Sequence, residues 1–168
     1  MSGEQITLTE KVEALSQRLE TLRAKDAERE RAIDVLRQNE NELERLFSLS
    51  LEMLCIAGTD GYFRRVNPAF ERISGWLSQD VLGRNCRFLQ GPHTDPAELG
   101  RLRDAIAEGR DVDVLLLNYT RQGRPFWNEL HVMPVRNHAG ELTHFVALQT
   151  DVSSRIEAQQ AITRSEEQ

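Results

Sequence analysis

An uninterrupted helical pattern places the strongest constraint on how this chain folds, because residues 5–46 contain no proline or glycine. Apolar residues in this stretch recur at spacings that alternate between three and four, which keeps them on one stripe of an α-helix. The pattern therefore predicts one long helix over residues 1–45. The two interleaved apolar series are Leu8, Leu15, Leu22, Leu36 and Leu43, and Val12, Leu19, Ile33 and Phe47.

The length of this helix favours a coiled coil. At 1.5 Å per residue it would extend roughly 60 Å, which is more than a domain of about a hundred residues can cover. We therefore predict a parallel homodimer that forms through this stripe. Asp26 and Arg29 fall within the stripe, where they either weaken the coil locally or fix its register by pairing across the interface. The alternative is an amphipathic helix that folds back on the following domain.

The net charge and the cysteine content exclude several classes of function. A net charge of −6 offers no basic surface for a phosphate backbone, so we do not expect nucleic-acid binding. The longest apolar runs are too short to span a bilayer and no signal-peptide pattern is present, so we expect no membrane association. Cys55 and Cys86 lack CxxC partners, which favours free thiols in the cytoplasm. The histidines lack metal-ligand spacing, and we expect His131 and His144 to form a cross-strand packing pair.

Residues 46–152 form a second segment, in which glycine, proline, asparagine and aromatic residues appear and the apolar period shortens. Two predicted strands are followed by short helices and then by three more strands. This order predicts an α+β domain with one five-stranded antiparallel sheet. The predicted strands cover residues 54–57, 62–66, 112–120, 125–135 and 142–151, and the predicted helices begin at Pro68 or cover residues 78–82, 86–90 and 96–107.

Residues 153–168 form the third segment. Ser154 and Glu157 have the spacing of a capping box, which predicts that a helix begins there. We expect this helix to be a signalling linker, cut from a longer protein, that also contributes to the dimer. The alternative is a frayed tail.

The most informative motif covers residues 83–92, which read Gly-Arg-Asn-Cys-Arg-Phe-Leu-Gln-Gly-Pro. It places Cys86 between Arg84 and Arg87 at the predicted start of a short helix. The helix dipole and the two arginines would each favour a thiolate and anion binding. A lone cysteine is equally compatible with a small core residue, so the residue types alone leave both interpretations open.

This decapeptide resembles the flavin-binding signature of light-oxygen-voltage (LOV) domains, a branch of the PAS fold. The resemblance continues at several independent spacings over residues 62–153. It includes Arg103 in a helix, Asn118 and Asn128 in successive strands, and Gln149 in the last strand. The sequence departs from the family in the tight turn at residues 57–62, where a longer proline-containing connection is common, and in Ser74-Gly75-Trp76, where Thr-Gly-Tyr is frequent.

The resemblance implies a flavin site with residues in defined roles. FMN is the expected cofactor, with FAD and riboflavin as the alternatives, because the family binds the terminal phosphate with two arginines. The phosphate ligands would be Arg87 and Arg103, the ribityl ligands Asn85 and Gln90, the ring-edge ligands Asn118 and Asn128, and the apolar walls Leu89, Leu117, Leu130 and Phe145.

The resemblance also implies a mechanism and a role. Blue light would drive a reversible covalent adduct between Cys86 and flavin carbon 4a, and Gln149 would sense the protonation of nitrogen 5. The signal would pass to the C-terminal helix and to an effector domain outside this chain, such as a histidine kinase or a diguanylate cyclase. The chain itself would be a sensor and not an enzyme. We interpret Cys55 as a core residue, although the first strand would bring it towards the ring.

Two other functions are compatible with parts of the sequence. A flavin-binding PAS module that senses redox state, or only dimerises, would need no thiol at position 86. A cysteine-dependent enzyme would need a histidine base and an orienting acid beside Cys86, and the sequence offers no convincing pair.

Overall fold

The computed structural model describes residues 3–166, and the side chains of residues 7–165. The chain divides into two compact units, Met1–Arg45 and Leu46–Gln168. Helix α1 (Gly3–Leu49) supplies the first unit and its last turn enters the second. The long N-terminal helix is thus confirmed. Its predicted stripe is unburied in the single chain, where Leu15 and Leu22 are 66% and 52% exposed.

The second unit is built around one antiparallel sheet with the strand order β2-β1-β5-β4-β3. The expected α+β architecture with five strands is confirmed. The strands are β1 (Met53–Ala57), β2 (Phe63–Val66), β3 (Val112–Tyr119), β4 (Pro125–Arg136) and β5 (Leu142–Asp151). The helices are α2 (Pro68–Ser74), α3 (Ser78–Val81), a 3-10 helix (Cys86–Leu89), α4 (Pro96–Glu108) and α5 (Ser153–Glu166).

Strand alternation gives the sheet one buried face. Along β3, Val112, Val114, Leu116 and Asn118 are buried, and the residues between them are more exposed. Since successive side chains of a strand point to opposite sides, these four share the face that packs against the helical segments. Helix α4 packs on β3. The buried face is therefore both the hydrophobic core and the place where a site can form.

Asn67 joins three elements of the second unit through one buried side chain. Its Oδ1 accepts hydrogen bonds from the backbone N–H of Leu54, at 2.9 Å, and of Phe70, at 3.1 Å. Its Nδ2 donates to the carbonyl oxygens of Phe47, at 3.1 Å, and of Glu52, at 2.9 Å. Asn67 therefore caps α2 and also holds the end of α1 and the start of β1, whereas the sequence predicted only that a helix begins at Pro68.

Two details of the sequence interpretation are corrected. Helix α5 begins at Ser153, whose backbone N–H donates to Asp151 Oδ1 at 3.0 Å, and so Ser154 does not begin the helix in a capping box. His131 lies opposite Leu148 and contacts Asp113, so it does not pair with His144 across the strands.

No helix among residues 3–166 combines the length and apolar character required to cross a membrane.

Candidate functional site

A mostly apolar cavity lies against the buried face of the sheet. It encloses about 590 Å³ that protein atoms do not fill, part of which is continuous with solvent. Cys86, Asn118 and Gln149 are among the few polar residues on its wall, and the apolar residues include Phe63, Leu89, Leu102, Ile106, Leu116, Leu130, Val132, Phe145 and Ala147.

Four polar side chains form a hydrogen-bonded row beside this cavity, one on each of the adjacent strands β3, β4, β5 and β1. Asn128 Nδ2 donates to Asn118 Oδ1 at 2.9 Å and to Gln149 Oε1 at 2.7 Å. Gln149 Nε2 donates to Cys55 Sγ at 3.0 Å. All four residues are buried. We refer to Asn118, Asn128, Gln149 and Cys55 as the polar row.

Strand register brings these four residues together. Leu116 lies opposite Asn128, and Leu130 lies opposite Gln149. Asn118 is therefore two residues beyond the partner of Asn128, and Asn128 is two residues before the partner of Gln149. Diagonal neighbours of this kind on one face lie about 7–8 Å apart, which long polar side chains can span.

The row leaves one acceptor unpaired. Among the described residues, Asn128 Oδ1 is buried and has no hydrogen-bond partner. An unsatisfied buried carbonyl costs about 1–3 kcal/mol, so such a group in a native protein calls for a donor. A flavin ring edge offers an N–H group of this kind, and the apolar wall suits the rest of the ring. The residues present therefore fit a flavin.

Cys86 begins the 3-10 helix and lines both the cavity and a second pocket, which shares Gly61, Gln90, Leu102 and Ile106 with the cavity and which we call its mouth. Asn85 Oδ1 accepts from the backbone N–H of Arg87 at 3.2 Å and lies 3.8 Å from the Cys86 sulfur. Burial raises the pKa of the Cys86 thiol, and this effect outweighs a backbone hydrogen bond and the Arg87 charge, which lower it. The thiol is therefore neutral at neutral pH.

Of the two interpretations that the sequence left open, a neutral thiol is favoured, although the Arg87 charge does lower the pKa of the Cys86 thiol as expected. The helix is only four residues long, and Arg84 does not serve the sulfur: its guanidinium stacks over the rings of Trp76, at 5.3 Å, and Phe88, at 4.8 Å. Arg87 is exposed, so solvent screens its charge.

The mouth of the cavity is more polar than its interior. Asn85, Arg87, Gln90 and Arg103 all line it, together with Asp60 and Gly61 of the β1–β2 turn. Both arginines are exposed, and they come from the 3-10 helix and from α4. Two guanidinium groups at one opening suit an anionic tail on a ligand whose ring is buried deeper.

Most of the predicted apolar walls lie where the sequence placed them. Leu89, Leu130 and Phe145 line the cavity. Leu117 is the exception, because it follows the buried Leu116 and so lies on the opposite face of β3. Leu116 takes its place in the wall. The sequence interpretation missed further wall residues that alternation within strands or the inward face of α4 would have indicated, namely Phe63, Leu102, Ile106, Val132 and Ala147.

Comparison with known proteins places this chain in a family. A model of the family described as "PAS domain" matches residues 51–154. Blue-light-activated histidine kinases of Brucella canis and Brucella anthropi are 48% and 45% identical to the chain over 87 residues, which is 52% of this chain and 18% of each relative. The chain thus spans about a fifth of the length of the curated relatives it matches.

Two solved structures share the fold and much of the sequence. The LOV domain from the Erythrobacter litoralis EL346 blue-light activated histidine kinase is 37% identical, with a TM-score of 0.58 over 61% of this chain and 96% of that one. An RNA-binding Light-Oxygen-Voltage receptor is 39% identical, with a TM-score of 0.70 over 77% of this chain and 37% of that one. RNA binding is stated of that receptor.

Proposed function

Because this chain belongs to the PAS domain family, and within it to the LOV domains, we propose that it senses blue light through a reversible bond between Cys86 and a bound flavin. The observation that carries the proposal is the Cys86 thiol on the wall of the cavity that Gln149 and Asn118 also line. When bound, the excited flavin supplies a carbon 4a that takes the sulfur and a nitrogen 5 that takes the thiol hydrogen.

Cys86 brings its own proton to this reaction. Burial keeps the sulfur in its S–H form in the dark, so the S–H bond that breaks provides the hydrogen and no separate acid is needed. The 3-10 helix holds the sulfur at the boundary between the cavity and its mouth. Cys86 is therefore the catalytic residue of the proposed photoreaction.

Gln149 is the proposed relay residue. Its amide is buried and bonded at both ends, to Asn128 through Oε1 and to Cys55 through Nε2. A ligand atom that changes from acceptor to donor leaves a buried amide mismatched, at a cost of about 1–3 kcal/mol, unless the amide turns. Turning the Gln149 amide exchanges the positions of its oxygen and nitrogen and breaks the two bonds that Gln149 makes in the row.

The relay has a short path to α5. Gln149 lies two residues before Asp151, whose Oδ1 accepts from the backbone N–H and the hydroxyl of Ser153. The Ser153 hydroxyl in turn accepts from the backbone N–H of Trp127 at 2.8 Å. The first turn of α5 is therefore fastened to β4 and β5, and a displacement at the end of β5 reaches it directly.

The photoreaction itself is the test of this function. We expect the flavin-loaded protein to be yellow, to lose its blue absorption under blue light, and to regain it in the dark. A yellow protein with stable absorption would instead favour a redox-sensing or dimerising PAS module. A protein that binds no flavin would return the cysteine-dependent enzyme and the ligand-free PAS domain to consideration.

FMN is the proposed flavin, since Arg87 and Arg103 both line the mouth. Replacing both arginines with alanine should weaken FMN binding by about a hundredfold or more, because each charge-assisted hydrogen bond contributes about 1.5–3 kcal/mol. Riboflavin has no phosphate, so its affinity should hardly change. Titration of both flavins measures the difference. Arg101→Ala is the control, because Arg101 pairs with Glu98 on α4 and does not line the mouth. Equal losses for the two flavins would contradict the assignment.

We propose that the apolar stripe of α1 forms a parallel homodimer to which α5 also contributes. Replacing Leu15 and Leu22 with aspartate should weaken the dimer by at least about a hundredfold, since each buried leucine contributes about 1.5–3 kcal/mol. Light scattering over a concentration series measures the shift. Gln17→Asp with Ala24→Asp, on the opposite face of the helix, is the matched control and should remain dimeric. A wild-type chain that is monomeric at high concentration would overturn the proposal.

The output is proposed to pass through α5 to an effector of the histidine kinase type, because the relatives are blue-light-activated histidine kinases. A diguanylate cyclase is an alternative effector. The sensory chain is proposed to supply the light signal and no enzymatic activity of its own. Its proposed location is the cytoplasm, with no membrane or nucleic-acid partner.

A further inference from the structure

Cys55 ends the polar row. It lies on β1, is fully buried, and its sulfur accepts the hydrogen bond from Gln149 Nε2 at 3.0 Å. The two residues are 94 positions apart in the chain and meet because Ala147, two residues before Gln149, lies opposite Cys55 in the β1–β5 ladder. The relay amide therefore has a protein partner on each side, Asn128 and Cys55.

A thiol at this position differs from an apolar residue of the same size. The sulfur is a weak acceptor and the S–H group is a weak donor, so a thiol can pair with either end of an amide. Asn128 cannot pair with both ends of the Gln149 amide, because the Nδ2 group that faces Gln149 can only donate. Valine at position 55 would pair with neither end of the amide and would leave a buried amide group unsatisfied.

We propose that Cys55 is a positioning residue that exchanges hydrogen-bond roles with Gln149 when light turns the amide. In the dark the Cys55 sulfur accepts from Gln149 Nε2. In the light the Cys55 S–H group donates to Gln149 Oε1, which stabilises the turned amide on the side away from Asn128. No covalent bond changes at Cys55. This inference rests on the proposed function, because only the photoreaction at Cys86 would turn the amide.

The protonation of Cys55 supports this exchange. Burial raises the pKa of the Cys55 thiol well above its ordinary value, by more than the hydrogen bond from Gln149 lowers it. The thiol therefore keeps its hydrogen at neutral pH, where an S–H donor is available.

Infrared difference spectroscopy of the flavin-loaded chain tests the proposal directly, since few other protein vibrations fall in the S–H stretching region. The light-minus-dark spectrum should show two features. One is a negative band from the S–H bond that Cys86 loses. The other is a paired negative and positive feature, in which the S–H stretch of Cys55 moves to lower frequency because the group has become a donor.

Variants assign the two features. Cys55→Val should remove the paired feature and keep the Cys86 loss. Gln149→Leu should also remove the paired feature, because the amide that Cys55 follows is gone. Cys86→Ala should remove both features.

Dark recovery gives a second readout. Loss of one hydrogen bond to the turned amide should change the recovery rate of Cys55→Val by about two- to tenfold. Cys55→Ser can both donate and accept, so its recovery should lie closer to that of the wild type. A purely structural role would predict similar recovery for the two variants whenever both fold equally well.

The outcomes separate this inference from the function on which it rests. Bleaching with loss of the Cys86 band, but with an unmoved Cys55 band, would overturn the role of Cys55 and leave the photoreceptor intact. Absence of bleaching and of any Cys86 loss would overturn the proposed function, and the role of Cys55 with it.

Discussion

Replacing Cys86 with alanine is expected to abolish light-induced, dark-reversible bleaching completely while flavin remains bound. The expectation follows because alanine has neither the sulfur atom that forms the new bond nor a thiol hydrogen to transfer. Flavin binding should persist, since Asn118, Asn128 and the two arginines at the mouth are untouched. Absorption spectra recorded before illumination, during it, and after return to darkness measure the result.

The other cysteine supplies the matched control. Cys55→Val keeps the sulfur at position 86 and should still bleach, whatever the change in its recovery rate. Because Cys55 and Cys86 are the chain's two cysteines, the pair of variants assigns the photoreaction to one sulfur atom. Persistent reversible bleaching in Cys86→Ala would show that the bleaching does not depend on this thiol.

Replacing Gln149 with leucine is expected to separate the photoreaction from its output. Bleaching should remain, because Cys86 is unchanged. The light-induced change in α5 should fall sharply, because leucine forms no hydrogen bond and so feels no mismatch. A mismatch of about 1–3 kcal/mol corresponds to a shift of about five- to 150-fold between two states, and this driving force would be lost.

Hydrogen exchange of the backbone amides in α5 (Ser153–Glu166), in light and in darkness, measures that output. Gln122→Leu is the control, because Gln122 is an exposed glutamine in the β3–β4 turn and should leave the light response intact. A Gln149→Leu variant whose α5 still responds to light as the wild type does would rule out this glutamine as the relay.

The sequence predicted the order of elements because local signals mark their ends. Asn67-Pro68 and Asp95-Pro96 begin α2 and α4, and each side chain before the proline caps its helix. Alternating burial marks β3 clearly. The same alternation could have excluded Leu117 from the cavity wall. Asn118 was expected to face the cavity, and its neighbour in the strand must face the other side of the sheet.

The sequence predicted only part of the polar row. Asn118 and Asn128 were expected together because they lie ten residues apart on one hairpin. The bond from Gln149 to Cys55 depends on the register of β1 against β5, which the intervening chain sets and no local pattern reveals. The sequence therefore placed Cys55 correctly in the core but did not reveal its bond to Gln149.

The sequence left the charge state of Cys86 open, for a physical reason. A sequence shows which charges are near in the chain, but it does not show how much water surrounds them. Arg84 proved to lie on aromatic rings and Arg87 in solvent, whereas the sulfur itself is partly withdrawn from water. Desolvation then exceeded the attraction of the neighbouring cation.

Asn67 gives the sensory unit an attachment at its other end. Gln149 touches β1 through Cys55, β1 begins next to Glu52, and the Asn67 amide group joins Glu52 to the last turn of α1 at Phe47. A disturbance of the row thus has a hydrogen-bonded route upstream as well as along β5. The polar row is therefore connected to both α1 and α5, so that an effector joined to either helix could receive the signal.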